Sequence, residues 1–120
     1  MIYTFGGMAY SKYKLNFALN FSKALTRRNG KRVLFIDGSS SHLAQKIIAE
    51  NLSLRQTELL SLVTIDNDGV LERLAEFKTE YDDIVINSSI GSHLEEVLQF
   101  SDRLLVPFDS SDLALWNMWK

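Results

Sequence analysis

The chain has 120 residues, a mass of 13.7 kDa and a formal net charge of −2, which fits one domain or part of one. Its hydrophobic fraction of 46%, with 11% aromatic residues, is enough for a packed core and excludes a disordered chain. The small net charge does not by itself indicate a polyanion or a membrane surface as partner. The absence of cysteine excludes disulfides, thiolate metal sites and cysteine nucleophiles.

Hydropathy along the chain gives no sign of membrane insertion. No apolar run approaches the roughly 18 residues that a membrane-spanning helix requires, and the first residues lack the pattern of a signal peptide. A cytoplasmic location is therefore the default expectation. No segment indicates direct binding of nucleic acid.

The first third of the chain predicts a strand, a helix and a second strand. Ile2 to Phe5 is a short apolar run followed by Gly6-Gly7, and Leu15 to Arg28 has apolar residues at helical spacing. Asn29-Gly30 ends that helix, since glycine is common just after a helix. Arg32 to Asp37 is a continuous apolar run, which predicts a strand that is buried on both faces.

The middle of the chain is less regular. Ser41 is a suitable cap for a helix through about Leu52. The segment Leu59 to Ile65 fits either a short strand or the end of a helix. Asp66 to Gly69 has the composition of a turn, and we expect a helix from there to about Glu80.

The last third continues the alternation of strands and helices. Asp83 to Asn87 predicts a strand, His93 to Phe100 a helix, and Arg103 to Phe108 a further strand, with a last helix from Asp109. Apolar strands that alternate with helices are typical of a doubly wound, mostly parallel α/β sheet with helices on both faces. Ligands of such sheets bind at the carboxyl ends of the strands. These ends are polar or glycine-rich here: Gly6-Gly7, Asp37 to Ser41, Asn87 to Gly91, and Asp109 to Asp112.

Four short motifs follow one another along the chain: Phe5 to Gly7 before a long helix, Gly30 to Asp37, Tyr81 to Gly91, and Ser101 to Pro107. Their order resembles that of the ParA/MinD group of deviant P-loop ATPases. Members of that group read K-G-G-x-G-K-[ST], then G-K-[RK]-V-L-x-I-D, then Y-D-x-[IV]-x-[IV]-D-x-x-x-G, and then A-D-x-[VL]-[LI]-[VI]-P. The resemblance implies a P-loop-like fold, with residues 1–120 as a single domain that is incomplete at its C-terminus.

The phosphate loop departs from the pattern of that group. Counting back from the helix, Lys14 takes the place of the phosphate-binding lysine, but Tyr13 replaces a glycine and Leu15 replaces the Mg²⁺-binding hydroxyl. Counting from Gly6 instead places Ser11 to Tyr13 at the end of the motif. That register also lacks the glycine and the hydroxyl.

Both acidic positions are altered as well. Ser39 stands where the group often has the aspartate that orients the attacking water. Asn87 stands where the group has the aspartate that helps to hold Mg²⁺ through water. Divalent cations prefer anionic oxygen, which an asparagine does not offer, although asparagine is also an ordinary residue for closing a strand. We therefore expect no ATP hydrolysis, no catalytic residue, no metal site and no required cofactor, with ATP binding at most weakly.

The remaining candidates describe a degenerate nucleotide site. Lys12 and Lys14 are near a helix N-terminus, which favours anions, but both could equally be ordinary solvated lysines. Asp82-Asp83 is predicted to be solvated, and His42 and His93 to lie at the surface or at helix ends. The candidate nucleotide-binding residues are Gly6, Gly7, Ser11, Lys12, Lys14, Asp37 and Asn87.

By resemblance, the favoured function is a non-hydrolysing module that positions or scaffolds a partner in partition, division-site placement, or pilus or secretion placement. One alternative is a receiver-like or flavodoxin-like regulatory domain, for which Asp37 is the only acidic phosphoacceptor candidate. A second alternative is a weak nucleotide-binding ATPase of the ParA family. The apolar residues Leu113, Trp116 and Trp119 predict self-association or a protein partner without a need for nucleotide.

Overall fold

The computed structural model describes residues 1–6, 12–38, 60–64, 72–88 and 94–106. Within these residues there are five strands and three helices. In chain order they are β1 (Ile2–Phe5), α1 (Lys12–Asn29), β2 (Val33–Asp37), β3 (Leu60–Thr64), α2 (Leu74–Glu80), β4 (Asp83–Asn87), α3 (Leu94–Phe100) and β5 (Arg103–Leu105). No helix in this part of the chain is both long and apolar enough to cross a bilayer.

The five strands form one sheet in the order β3-β2-β4-β1-β5, and every neighbouring pair is parallel. β4 therefore lies between β1 and β2, although it follows both in the sequence. Asn87 is opposite Phe5 on one side and Asp37 on the other, so the three strands end level with one another. The predicted parallel α/β sheet is confirmed.

Alternate residues of each strand pack on opposite faces of the sheet, as the pleat requires. On one face, Phe5, Phe35 and Val85 pack with Leu15 and Leu19 of α1. The other face packs against α2 and α3 through Ile2, Leu34, Ile36, Ile84, Ile86, Leu74, Phe77 and Val97. Full burial of each large apolar side chain stabilises the fold by roughly 1.5–3 kcal/mol, so these two layers hold the helices on both sides.

Helix α1 is amphipathic and starts three residues earlier than the apolar pattern predicts. Its buried hydroxyl groups are satisfied within the helix, since Ser22 Oγ donates to the Ala18 carbonyl at 2.8 Å and Thr26 Oγ1 to the Lys23 carbonyl at 2.7 Å. The helix ends at Asn29, and Gly30 follows with φ 62°. Glycine suits this position because left-handed backbone is unfavourable for residues with a Cβ.

One strand decides an alternative that the sequence left open, and another is shorter than expected. Leu60–Thr64 is a strand, which decides the ambiguity of that segment. β5 ends at Leu105 instead of continuing to Phe108, and it is largely exposed because it lies at the end of the sheet order. The helix expected from Ser41, the turn from Asp66 and the helix from Asp109 lie outside the described residues.

The amino edge of the sheet, where Ile2, Val33 and Asp83 begin their strands, carries paired acidic groups. Asp83 is only 2% exposed, and its carboxylate lies 3.4 Å from Lys31 Nζ and 3.3 Å from the Met1 amino group. The expectation that Asp83 is solvated is therefore wrong, because α1 and its following turn bring a cation to it. Asp82 is exposed, and its carboxylate accepts the Arg32 N–H at 2.9 Å.

Candidate functional site

The carboxyl edge of the sheet, where Phe5, Asp37 and Asn87 end their strands, is held by hydrogen bonds one residue beyond the ladders. Gly6 N–H donates to the Leu105 carbonyl at 2.9 Å, and Ser88 N–H donates to the Phe5 carbonyl at 2.9 Å. Gly38 N–H donates to the Asn87 carbonyl at 2.7 Å. The residues that follow β1, β2 and β4 are therefore fixed relative to one another.

Gly38 allows β2 and β4 to stay close at this edge. A Cβ at this position would lie 2.5 Å from the Asn87 carbonyl oxygen and 3.3 Å from Ser88 Cα. Both neighbours are backbone atoms and cannot move without opening the sheet. The glycine is therefore required by packing.

Lys14 connects α1 to the carboxyl edge. Its side chain is only 3% exposed, and its ammonium donates to the backbone carbonyl of Ser88. Burial lowers the pKa of Lys14, and the attraction of the Asp37 carboxylate partly opposes that shift. The interpretation of Lys14 as a solvated surface lysine is wrong, because the helix directs its side chain onto the sheet.

Asp37 is the last residue of β2 and is fully buried. It has the same parity along the strand as Val33 and Phe35, whose side chains pack under α1. Its side chain is therefore on the face that α1 covers. Its charge acts on the Lys14 ammonium there.

Asn87 is the last residue of β4 and is 1% exposed. Its position at the centre of the sheet distinguishes it from an asparagine in a solvated turn. Within the described residues, neither Oδ1 nor Nδ2 of its side chain has a hydrogen-bond partner. A buried polar group that is left in this state costs about 1–3 kcal/mol. Asn87 is thus the least satisfied member of the buried polar cluster, which we define as Lys14, Asp37, Asn87 and Ser88.

Leu15 lies in the apolar layer beside this cluster. It is fully buried and packs in the same core as Phe5 and Val85. At the position where the resemblance implies a metal-binding hydroxyl, the chain therefore has a hydrocarbon side chain inside the core.

No protein-family model matches the sequence, and no curated protein matches it significantly. The ParA/MinD resemblance therefore stays a hypothesis that depends on the four motifs and on the geometry of their residues.

The structure brings four of the predicted site residues to the carboxyl edge: Gly6, Lys14, Asp37 and Asn87. Gly7 and Ser11 lie outside the described residues, as does the side chain of Lys12, which begins α1. The Ser88 carbonyl could not be singled out from the sequence, because a backbone acceptor has no signature in the residue type. The role of Gly38 was not predicted either, although a glycine directly after a buried strand is a usable signal for close backbone approach.

Two further observations concern ligands. Among the described residues, no three His, Asp or Glu side chains are grouped in a way that could hold a metal ion. A cleft of about 260 Å³ lies on the other face of the sheet, lined by Ile2, Glu72, Leu74, Ala75, Lys78 and Phe100. It does not include any member of the buried polar cluster, so the two features are separate.

Proposed function

We propose that this chain is a non-hydrolysing ParA/MinD-like module that positions or scaffolds a protein partner. The observation that supports it most is the state of Lys14. Its ammonium is directed to the Ser88 carbonyl inside the protein, whereas a phosphate-binding lysine must present its charge to a ligand. The proposal assigns no catalytic residue and no required cofactor.

The chemistry of phosphoryl transfer supports the same conclusion. That reaction depends on a lysine at the phosphates, a hydroxyl on Mg²⁺, and an acidic residue that helps to hold the metal. At the corresponding positions the chain has a buried Lys14, a Leu15 in the core and a neutral Asn87. Each difference removes charge stabilisation or positioning that the transition state requires.

The strand order supports the ParA/MinD-like part of the proposal. Three of the four motifs end on β1, β2 and β4, and the central position of β4 brings Gly6, Asp37 and Asn87 to one edge. Motifs that act on one ligand must converge in this way.

The strand order also argues against a flavodoxin-like arrangement, in which β1 lies between β2 and β3, because here β1 lies between β4 and β5. A receiver-like role for Asp37 is disfavoured too, since a fully buried carboxylate is not accessible to a phosphodonor.

A protein partner is supported by apolar side chains on the described surface. Phe100 and Leu104 are 49% and 52% exposed, and Leu98 and Val106 are 40% and 39% exposed. Exposed apolar groups of this kind are typical of contact surfaces when they are contiguous. The residues predicted from the sequence to make the contact, Leu113, Trp116 and Trp119, lie outside the described residues. A cytoplasmic location remains part of the proposal.

The test is the release of phosphate from Mg-ATP at high protein concentration, with Lys14→Ala as control. We expect no turnover above background in either protein. Turnover that the substitution abolishes would instead support the weak-ATPase alternative.

Sedimentation with and without ATP tests the proposed protein contact, since association with a second copy is expected to be independent of nucleotide. A strict monomer that dimerises only with ATP contradicts it.

A further inference from the structure

We infer that the chain associates head to tail with further copies of itself, through contact between the outer surface of α1 in one copy and the outer surface of α2 in the next. In this contact Phe17 fills the cleft beside α2, and Arg28 pairs with Glu80. The inference deepens the proposed function and rests on it for the partner being a protein. It names the two surfaces that make the contact.

Charge is distributed unevenly along the chain. Seven of the 13 Lys and Arg residues, and none of the 15 Asp and Glu residues, precede Asp37. The region from Glu72 to Val106 has the opposite character, with eight acidic and three basic residues. Because α1 covers one face of the sheet and α2 lies on the other, the helices of these two regions are on opposite sides of the molecule. The small net charge of −2 therefore conceals two surfaces of opposite sign.

The outer surface of α1, which we call the α1 surface, combines an exposed aromatic ring with basic groups. Its exposed positions lie at helical spacing on the side away from the core: Phe17, Asn20, Ala24, Arg27 and Arg28. Phe17 is 48% exposed, and aromatic residues and arginine are the types enriched at protein contacts. The cations occupy only one end of this surface. This arrangement suits a protein partner better than a polyanion, whose charge is continuous.

The outer surface of α2, which we call the α2 surface, has complementary features. Glu72, Glu76 and Glu80 are exposed and four positions apart, so they form an acidic ridge along α2 and the turn before it. Beside this ridge is the cleft of about 260 Å³, whose lining includes Glu72, Leu74 and Phe100. The cleft is large enough for one aromatic ring.

The two surfaces match in charge and in spacing. Arg28 follows Phe17 by 11 positions, about three helical turns, and Glu80 follows the cleft residue Glu72 by eight positions, about two turns. When the two helices run parallel, a Phe17 ring in the cleft therefore leaves Arg28 within side-chain reach of Glu80. Within the described residues neither Arg28 nor Glu80 is in an ion pair, so the contact does not have to break one.

The location of the two surfaces on opposite faces of the sheet determines the form of the assembly. One neighbouring copy cannot cover both surfaces of the same chain, so each contact leaves a surface available to a third copy. Contacts of this kind produce open chains or rings and not two-fold dimers. Because exposed ion pairs are weak and are screened by salt, the association should be reversible and should weaken in high salt.

The experiment is sedimentation of the full chain over a range of protein concentrations, without nucleotide, for the wild type, Arg28→Glu, Glu80→Arg and the double variant. We expect the mean mass of the wild type to rise with concentration beyond that of a dimer. Each single reversal should weaken association by on the order of tenfold, because like charges then face each other. The double variant should regain the association of the wild type. Arg103→Glu is the matched control, since Arg103 is an exposed arginine on β5, outside both surfaces. Urea denaturation verifies that each variant is folded.

Each outcome of this experiment decides the inference. A wild type that stays monomeric or stops at a dimer overturns it, and so does a double variant that associates no better than the single variants. An equal loss in Arg103→Glu overturns it too, because the net charge and not the two surfaces would then be responsible. A wild type that binds a short DNA duplex without associating with itself, and an Arg28→Glu variant that does not bind it, would assign the α1 surface to a polyanion instead.

The same measurements separate this inference from the proposed function. Association that is independent of ATP but unaffected by the charge reversals overturns the inference alone. Association that requires ATP contradicts both.

Discussion

The amino and carboxyl edges of the sheet use buried polar groups in opposite ways. At the amino edge, Asp83 is contacted by cations that remain 41–45% exposed, and Asp82 is exposed itself. At the carboxyl edge, Lys14, Asp37 and Asn87 are all buried, and the Asn87 amide lacks a hydrogen-bond partner among the described residues. Asp83 Oδ2 also lacks a hydrogen-bond partner among the described residues, but water reaches the cations that contact Asp83, whereas Lys14, Asp37 and Asn87 are all enclosed. A substitution of a polar residue should therefore change stability less at the amino edge than at the carboxyl edge.

The largest effect is expected for a new charge at the carboxyl edge. Asn87→Asp adds a second buried carboxylate next to Asp37, so we expect the free energy of unfolding to fall by about 2–4 kcal/mol. ATPase activity should not appear, since Leu15 still replaces the hydroxyl. Urea denaturation and phosphate release are the measurements. Asp83→Asn at the amino edge is the control, with an expected loss of about 1 kcal/mol. Equal losses in the two variants would remove the distinction between the edges.

A glycine-to-alanine series compares backbone crowding at three positions. Gly38→Ala should cost about 1–3 kcal/mol, because its Cβ would meet backbone atoms of β4 at 2.5 Å. Gly30→Ala should cost about 1 kcal/mol from left-handed backbone alone, as nothing lies within 4 Å of the new Cβ. Gly6→Ala should cost least, since its neighbour is the flexible Leu104 side chain at 3.2 Å. Thermal or urea denaturation gives the order, and a Gly30 variant less stable than the Gly38 variant would contradict the close contact of β2 and β4.

The pH dependence of stability reports on the buried lysine. Burial lowers the pKa of Lys14 in the folded protein below its ordinary value of 10.5. Between those two values the unfolded chain binds more protons, so the contribution of Lys14 to stability increases as the pH rises. Denaturation from neutral to alkaline pH should show this slope in the wild type, and Lys14→Met should lack it. Identical slopes in the two proteins would mean that folding does not lower the pKa of Lys14.

The smallest effect is expected for Lys31→Met at the amino edge. Lys31 contacts the buried Asp83 at 3.4 Å, but its side chain is 41% exposed, and exposed ion pairs contribute at most about 1 kcal/mol. Asp83 also retains the Met1 amino group at 3.3 Å. Urea denaturation in low and high salt is the measurement. A loss above that of Gly38→Ala would mean that the amino edge is as poorly hydrated as the carboxyl edge.

Much of the fold could be predicted from local pattern. The strand Asp83–Asn87 is found with the predicted bounds, and α1 follows its apolar stripe. The position of β4 between β1 and β2 could not be predicted from periodicity, because strand order depends on pairing between distant segments. β3 was ambiguous for a related reason, since a short apolar run fits a helix end as well as a strand.

The sequence could indicate which residues form the candidate site, but not how deeply they are buried or what they contact. Asn87 and Asp37 could be singled out because they follow apolar strands, and such ends converge in parallel sheets. The burial of Lys14 could not be predicted, because it depends on how closely α1 lies on the sheet. Asp83 was misjudged for the same reason. A pair of acidic residues predicts a solvated turn unless the cation that contacts it is known.

The position of β4 late in the sequence has a consequence for how the chain folds. β1 and β2 do not share a ladder, because each pairs with β4, so the two strands join one sheet only after residues 83–87 are available. The contact between Lys14 and Ser88 spans 74 positions of the chain. Loop-closure entropy must be overcome before such contacts contribute, which slows folding. During synthesis, the apolar residues of β1, α1 and β2 therefore lack the central strand of their sheet until β4 has been made. The chain is most prone to aggregation in this interval.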